Sequence, residues 1–449
     1  MSHFLITGGV PLRGMAGAGG SKNASLPMMA AAILADGPVQ LDGVPDLTDV
    51  RIMGRLLRDL GVAVSWTGEK MGTGSERSEV PVPFFSPVPL FSPSGGDVRL
   101  ETIDPRPVRA SYRLVRRMRA GFCVLGPLLA RRGAAMVPLP GGCNIGDRPV
   151  DLHLRGLAAL GADLRLDRGY IVASARRLTG TTIDLRGPRG PTVTGTANVL
   201  SAAVLARGTT TIRGAATEPE VVDLGNFLIA MGARIAGLGT ATVEIAGVQR
   251  LGGARYRVIP DRIEAATLLL AAAITGGAAT VTGVIPDHLG AVLEKLRAAG
   301  ARVDVGPDEV TITADGRPRP VDIVAEPYPG IPTDVQAQWT ALMTLASGVS
   351  TVEDRVFPAR FRHAAELNRL GAQIDCSGPR ASVTGVRALS AAGVTASDLR
   401  ASAALVLAAL AAEGTTVVDA IHHLDRGYER LDRKLARLGA QIRRVDRLA

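Results

Sequence analysis

Apolar and polar positions along this chain follow a pattern that recurs six times. An alanine-rich run with apolar residues at helical spacing ends at a glycine and gives way to a short Thr/Val stretch of strand type. Ala197–Arg207 followed by Gly208-Thr-Thr-Thr-Ile-Arg-Gly214 is one copy. The glycines of this phrase are Gly37, Gly133, Gly208, Gly277, Gly348 and Gly414. A second phrase, of the type Leu-x-x-Leu-Gly-Ala-x-Ile, places its glycines at Gly61, Gly161, Gly232, Gly300, Gly371 and Gly439. Their separations are 100, 71, 68, 71 and 68 residues. Glycine just past an apolar helical run is a helix-stop signal. Each unit therefore predicts helix, glycine turn, strand, second helix, glycine, strand. A period near 70 residues is too long for a solenoid, so the expectation is six small α/β modules in two domains of three. The first interval is longer by about 30 residues, and the excess lies at Met71–Asp97, rich in Pro, Ser and Gly. It reads as a loop insertion.

Composition narrows this picture. The chain has 449 residues, enough for two large cores, and is 46% hydrophobic but only 3% aromatic, so those cores are aliphatic. The net charge of +9 favours an anionic ligand. The basic residues are scattered and few aromatics are present to stack bases, which disfavours nucleic acid. Cys123, Cys143 and Cys376 are well separated, so neither a disulfide framework nor a zinc pattern is expected, and a reducing compartment fits. No signal segment opens the chain and no apolar run reaches membrane-spanning length, which predicts a cytoplasmic protein without membrane insertion.

Candidate chemistry concentrates in a few stretches. Pro140-Gly141-Gly142-Cys143 leads to Gly146-Asp147-Arg148-Pro149-Val150-Asp151-Leu152-His153. A thiol between glycines with an arginine close by is a candidate reactive group, because cations favour the thiolate. A buried structural cysteine is the competing reading. Gly17–Asn23 fails the P-loop pattern, yet Lys22 at a helix start would join a cation to free backbone N–H groups. Asp334 and Asp398 each read as a helix N-cap or a base. Arg119, Arg148, Arg360, Arg400 and Arg426 sit beside turns; gathered in one cleft they would clamp phosphate and carboxylate.

Ser21-Lys22-Asn23-Ala24, the Pro-Gly-Gly-Cys loop with Arg-Pro-Val-Asp-Leu-His, Pro260-Asp261-Arg262-Ile263-Glu264, Pro332–Gln338, Asp398–Ser402 and Asp425–Arg430 together resemble the UDP-N-acetylglucosamine 1-carboxyvinyltransferase family, a branch of the EPSP synthase family. The match is collinear from Gly8 to about Val445 apart from the insertion. The resemblance implies an α/β fold, a two-domain inside-out α/β barrel (the enolpyruvate transferase fold) of six repeated βα units. Residues 22–258 would form the first domain and residues 1–21 with 259–449 the second. It implies transfer of the enolpyruvyl group of phosphoenolpyruvate to the 3-hydroxyl of UDP-N-acetylglucosamine with release of phosphate. That is the committed step of peptidoglycan precursor synthesis. No cofactor or metal is implied.

The same resemblance assigns roles. Cys143 would be the general acid on phosphoenolpyruvate and Asp334 the base for the sugar hydroxyl. Lys22, Arg148 and Arg426 would clamp phosphoenolpyruvate, with Arg360 and Arg400 near its carboxylate. Asn23 would touch the sugar, Arg119 the diphosphate, and Pro149, Val150, Asp151 and Leu152 the uracil; Val356 and Asp398 are further substrate contacts. Two departures stand out. Thr192-Val193-Thr194-Gly195-Thr196 replaces a Ser-Val-Gly-Ala-Thr run, shifting a glycine by one position near the diphosphate. Ala265-Ala266 replaces Thr-Gly after the Arg-Ile-Glu motif. Enolpyruvyl transfer to another uridine nucleotide such as UMP, or a catalytically silent nucleotide-binding paralogue, are the alternatives. With cations in both halves, repulsion across the cleft is expected to favour an open ligand-free state.

Overall fold

The computed structural model of the chain describes residues 2–66, 96–140 and 149–446. Cys143, Arg148 and all of the insertion up to residue 95 therefore lie outside the described residues. Among the described residues the strands form six sheets, five of four strands and one of three. The five four-stranded sheets follow one plan, and the three-stranded sheet of Ala134–Pro138, Asp163–Asp167 and Tyr170–Ser174 lacks only the parallel edge strand among the described residues. In the third unit the leading strand Thr209–Arg213 is followed by the helix Pro219–Ala230 and the hairpin Arg234–Ala236 and Thr242–Ala246. The returning strand of the hairpin inserts antiparallel beside the leading strand, pairing Ile212 with Val243. The three-residue strand Thr182–Asp184 adds parallel on the other side. The sixth unit is closed by the other end of the chain. Its leading strand Thr415–Asp419 and final strand Gln441–Asp446 both pair with the N-terminal strand Ser2–Thr7.

The first helix of each unit lies inside. These are Lys22–Ala31, Leu125–Arg132 and Val193–Ala203, then Arg262–Ile274, Thr333–Met343 and Leu399–Ala411. Every residue of Arg262–Ile274 is buried. A helix apolar all round belongs in a core, and alanine lets such helices approach closely. Their buried side chains form two separate cores. One runs from Ala24 to Val258 in sequence. The other joins Phe4–Ala18 to Ile263–Leu438. This supports the two-domain division, which we propose at 22–258 and at 1–21 with 259–449.

The chain crosses between the cores twice, and the two crossings are tied together. Ser21 N donates to Ile259 O at 2.8 Å and Asp261 N to Gly19 O at 2.8 Å. A Cβ on Gly20 would sit 1.8 Å from the Gly43 carbonyl oxygen, so only glycine fits there. Asp261 caps its own helix, accepting from Ile263 N and Glu264 N, and also accepts from Lys22 N at 3.3 Å. One carboxylate thus fixes the start of both helices.

Several expectations change in detail. All six glycines of the second phrase have positive φ, from 77° to 107°, as helix stops require. Of the first phrase only Gly133, Gly208 and Gly414 do so. Gly277 is needed instead for close approach, since its Cβ would lie 2.1 Å from Leu12 O. The helix expected at Ala197–Arg207 runs Val193–Ala203, because Thr192 caps it four residues earlier. The insertion ends before Gly96, since Gly96 and Asp97 already belong to the strand Gly96–Thr102. It separates that strand from its hairpin partner Val62–Trp66. The return strands of the hairpins were absent from the expected unit.

Gly20→Ala should lower the unfolding free energy by at least about 2 kcal/mol. Gly290→Ala, at the open start of the helix Gly290–Ala298, should change it by no more than about 1 kcal/mol. Denaturant titration of both variants checks this; equal effects would contradict the role given to Gly20.

Candidate active site

Two carboxylates lie where the two cores meet. The first is Asp49, in the opening turn of the helix Thr48–Asp59 and 2% exposed. Its Oδ2 accepts from Lys22 Nζ at 3.2 Å and its Oδ1 from Arg426 Nε at 2.9 Å. Lys22 starts its helix behind the cap Ser21, whose Oγ accepts from Ala24 N. Two of the backbone N–H groups there, those of Lys22 and Ala24, are therefore already used by Asp261 and Ser21. Arg426 ends the short helix Ile421–Arg426 and belongs to the other core; its Nη2 also donates to Arg117 O at 3.1 Å. Burial opposes charge on Asp49, but Lys22 and Arg426 outweigh it and hold its carboxyl below the ordinary value.

The second is Asp334. Pro332 occupies the N-cap position of the helix Thr333–Met343, so Asp334 is not its cap. Its Oδ1 instead meets Arg360 Nη1 at 2.8 Å and its Oδ2 meets Arg400 Nη2 at 2.8 Å. Asn23 Nδ2 of the opposite core reaches the same Oδ2 at 3.5 Å. Arg360 Nη1 also donates to Thr333 Oγ1, which donates to Asp354 Oδ2 at 2.6 Å. Arg400 is 2% exposed and lies over the Tyr428 ring, 5.2 Å from its centroid. Asp398 caps the helix that carries it, accepting from Arg400 N at 2.9 Å and Ala401 N at 3.1 Å. Burial alone would raise the Asp334 pKa; Arg400 and Arg360 reverse that and hold its carboxyl well below the usual range.

A third group flanks residues 141–148, which lie outside the described residues. Pro149 and Val150 lead into the helix Asp151–Ala159, and Arg119 Nη2 donates to Pro149 O at 3.1 Å. His153, on the inner face of that helix, is pushed down to about 3 by burial and then by Arg119, so its ring is neutral. Gly126 N donates to Asn198 Oδ1 at 2.6 Å, which turns Asn198 Nδ2 toward His153 Nδ1 at 3.1 Å. The ring proton then sits on Nε2 and is donated to Thr194 Oγ1 at 3.2 Å. The shifted glycine has a local cause: Thr192 Oγ1 accepts from Gly195 N, and a Cβ on Gly195 would fall 2.4 Å from the Thr192 side chain.

Sequence reasoning thus named Lys22, Asn23, Asp334, Arg360, Arg400 and Arg426, which the fold gathers into two linked clusters. Val356 lies beside them, its N donating to Asp354 Oδ1. It missed Asp49 and Thr333, which carry no local signal beyond their place in the first turn of a helix. The expected repulsion between cationic halves is replaced by attraction: Asp49 joins Lys22 and Arg426 across the cores, and Asp334 draws in Asn23. Of the described cysteines, burial pushes Cys123 up to about 12, and burial and then Asp375 raise Cys376. Among the described residues no helix is long and apolar enough to cross a membrane.

The family described as EPSP synthase (3-phosphoshikimate 1-carboxyvinyltransferase) matches residues 6–83 and 96–435. The chain is 50% identical over 449 residues to the UDP-N-acetylglucosamine 1-carboxyvinyltransferase of Solibacter usitatus, spanning 99% of this chain and 100% of that one. It is 48% identical over 448 residues to the protein of that name from Akkermansia muciniphila, spanning 99% of each. Among solved structures it resembles the enolpyruvyl transferase NikO from Streptomyces tendae, with a TM-score of 0.85 and 27% identity over 99% of both chains. An EPSP synthase from Acinetobacter baumannii, at 16% identity and a TM-score of 0.70, shares the fold over 99% of this chain and 100% of that one.

Asp334→Asn would leave two buried guanidinium groups without their shared counter-charge. It should cost about 3–5 kcal/mol near neutral pH. The native carboxyl is held below its unfolded value, so its stabilisation is complete above about pH 4 and is lost as pH falls through the lowered value. The stability gap between the two proteins should therefore close on acidification. A gap independent of pH would contradict the assignment.

Proposed function

The chain belongs to the EPSP synthase family, and we propose that it transfers the enolpyruvyl group of phosphoenolpyruvate to the 3-hydroxyl of UDP-N-acetylglucosamine, releasing phosphate. The observation that carries this is identity of 48–50% over 99% of the chain to curated enzymes of that name. The cleft chemistry supports it. Phosphoenolpyruvate and a nucleoside diphosphate sugar are both polyanions, and the site collects Lys22, Arg360, Arg400 and Arg426 with two carboxylates between them.

In this reading Lys22 and Arg426, with Arg148, receive the phosphate of phosphoenolpyruvate, and Arg360 and Arg400 its carboxylate. Asn23 faces the sugar beside Asp334. Arg119 serves the diphosphate and residues 149–152 the uracil, with Val356 a further contact. Asp398 acts on Arg400 by capping its helix, as its two backbone bonds suggest.

The reaction adds a proton to the vinyl CH2 while the sugar oxygen attacks the adjacent carbon and gives up its own proton. Loss of phosphate and of a methyl proton then restores the double bond. Cys143 is the proposed proton donor and Asp334 the proposed acceptor. As found, Asp334 is a weak base, because two guanidinium groups hold its charge. A substrate carboxylate that takes over those arginines would release it and raise its basicity. The base is thus readied by the substrate itself. Water exclusion over the site would protect the intermediate. We place the reaction in the cytoplasm, as a step in making peptidoglycan precursor.

Offered UDP-N-acetylglucosamine and UMP together, the enzyme should convert the sugar nucleotide at least about 100-fold faster, as product analysis would measure. Preference for UMP would favour the alternative acceptor. An epoxide mimic of phosphoenolpyruvate should alkylate Cys143, and peptide mapping that placed the adduct on Cys123 or Cys376 would overturn its role.

A further inference from the structure

Lys22, Arg426 and Asp49 make an unusual trio. The Lys22 side chain is 11% exposed and that of Asp49 only 3%. A buried ammonium needs an anion, and Asp49 is the one that meets it. The same carboxylate binds Arg426 through Nε at 2.9 Å and Nη2 at 3.5 Å. It does so across the boundary between the two cores. Arg426 is the reachable member, its side chain 33% exposed. It is followed by Gly427, where a Cβ would fall 2.6 Å from Leu399, so the short helix ending in Arg426 is seated against the helix of Arg400. Two cations on one carboxylate leave one net positive charge. An incoming phosphate dianion would find its two cations already held at one point, by a group of the same sign as itself.

We propose that Asp49 is a positioning residue for the phosphate subsite: a resident counter-anion that keeps Lys22 and Arg426 converged without ligand and competes with phosphate for them. This rests on the reading above that Lys22 and Arg426 receive the phosphate. Two consequences follow from charge alone. The carboxylate weakens ground-state binding of phosphate and so speeds its departure as product. It also spares the ligand-free site an uncompensated buried ammonium. Lys22 and Arg426 would otherwise be free to point apart, and each turnover would have to bring them together again.

The test is binding of inorganic phosphate by titration calorimetry to the full chain, which needs no turnover. Asp49→Asn should bind phosphate about five- to tenfold tighter, because a negative charge a few ångströms from the site has gone. Its kcat should fall, and product inhibition by phosphate should strengthen. Asp49→Glu, which keeps the charge, should restore phosphate affinity to within about twofold. Should the asparagine variant not fold, Asp49→Ser leaves room for a water and carries the same expectation. A merely structural aspartate predicts the reverse, weaker phosphate binding. Unchanged or weaker binding in a folded Asp49→Asn or Asp49→Ser protein would overturn the proposal. Lys22→Met separates the two readings: if it leaves phosphate affinity unchanged, the phosphate assignment of Lys22 fails, whatever Asp49 does.

Discussion

A cleft that must receive polyanions has to keep its cations together before the ligand arrives. Cations packed without counter-charge would repel one another and lose hydration. Here two carboxylates solve this: Asp49 between Lys22 and Arg426, and Asp334 between Arg360 and Arg400. Breaking one member out of such a buried group costs about 3–5 kcal/mol. Each cluster also reaches across the two cores, through Arg426 and through Asn23. Their alignment depends on the paired crossing of Gly19–Ser21 and Ile259–Asp261, where Asp261 caps one helix and holds the start of the other. Backbone geometry at this crossing therefore sets how the two charge clusters meet.

The same pairing bears on reactivity. A carboxylate gripped by two arginines is a poor base, and a lysine gripped by a carboxylate is a partly satisfied anion receptor. In the proposed reaction both conditions would be relieved by the substrate, whose carboxylate and phosphate would take over those cations. Chemistry would then be coupled to occupancy with no need for a separate switch. The neutral His153, locked between Asn198 and Thr194, plays the opposite part. It is a rigid strut that ties the helix start at residue 151 to the one at residue 193.

Much of this was legible in the sequence because it is carried by local signals. The glycines at 61, 161, 232, 300, 371 and 439 mark six helix ends, and all take left-handed backbone. The aliphatic helices between them are buried as their composition requires. The return strands of the hairpins were not legible, since a second short strand after a two-residue turn such as Arg168-Gly169 adds little periodicity. The closure of the sixth sheet by Ser2–Thr7 is a contact over more than 400 residues of sequence, beyond any local pattern. Lys22, Asp334, Arg400 and Arg426 stood out by motif, but Asp49, the shared partner of Lys22 and Arg426, did not. Asp49 looks like an ordinary acidic residue in a first helical turn, and only the tertiary fold brings Lys22 and Arg426 to it.

The most direct test of this account is the titration of Asp334 itself. Carbon-13 labelling of the aspartate carboxyls, followed by NMR in a Cys143→Ala protein that forms no thiol adduct, would report its pKa with and without phosphoenolpyruvate. The account predicts a carboxyl held well below the ordinary value in the free protein and raised when phosphoenolpyruvate binds, as its arginines are taken over. A pKa that is unchanged or lowered by bound phosphoenolpyruvate would contradict a base made ready by its own substrate.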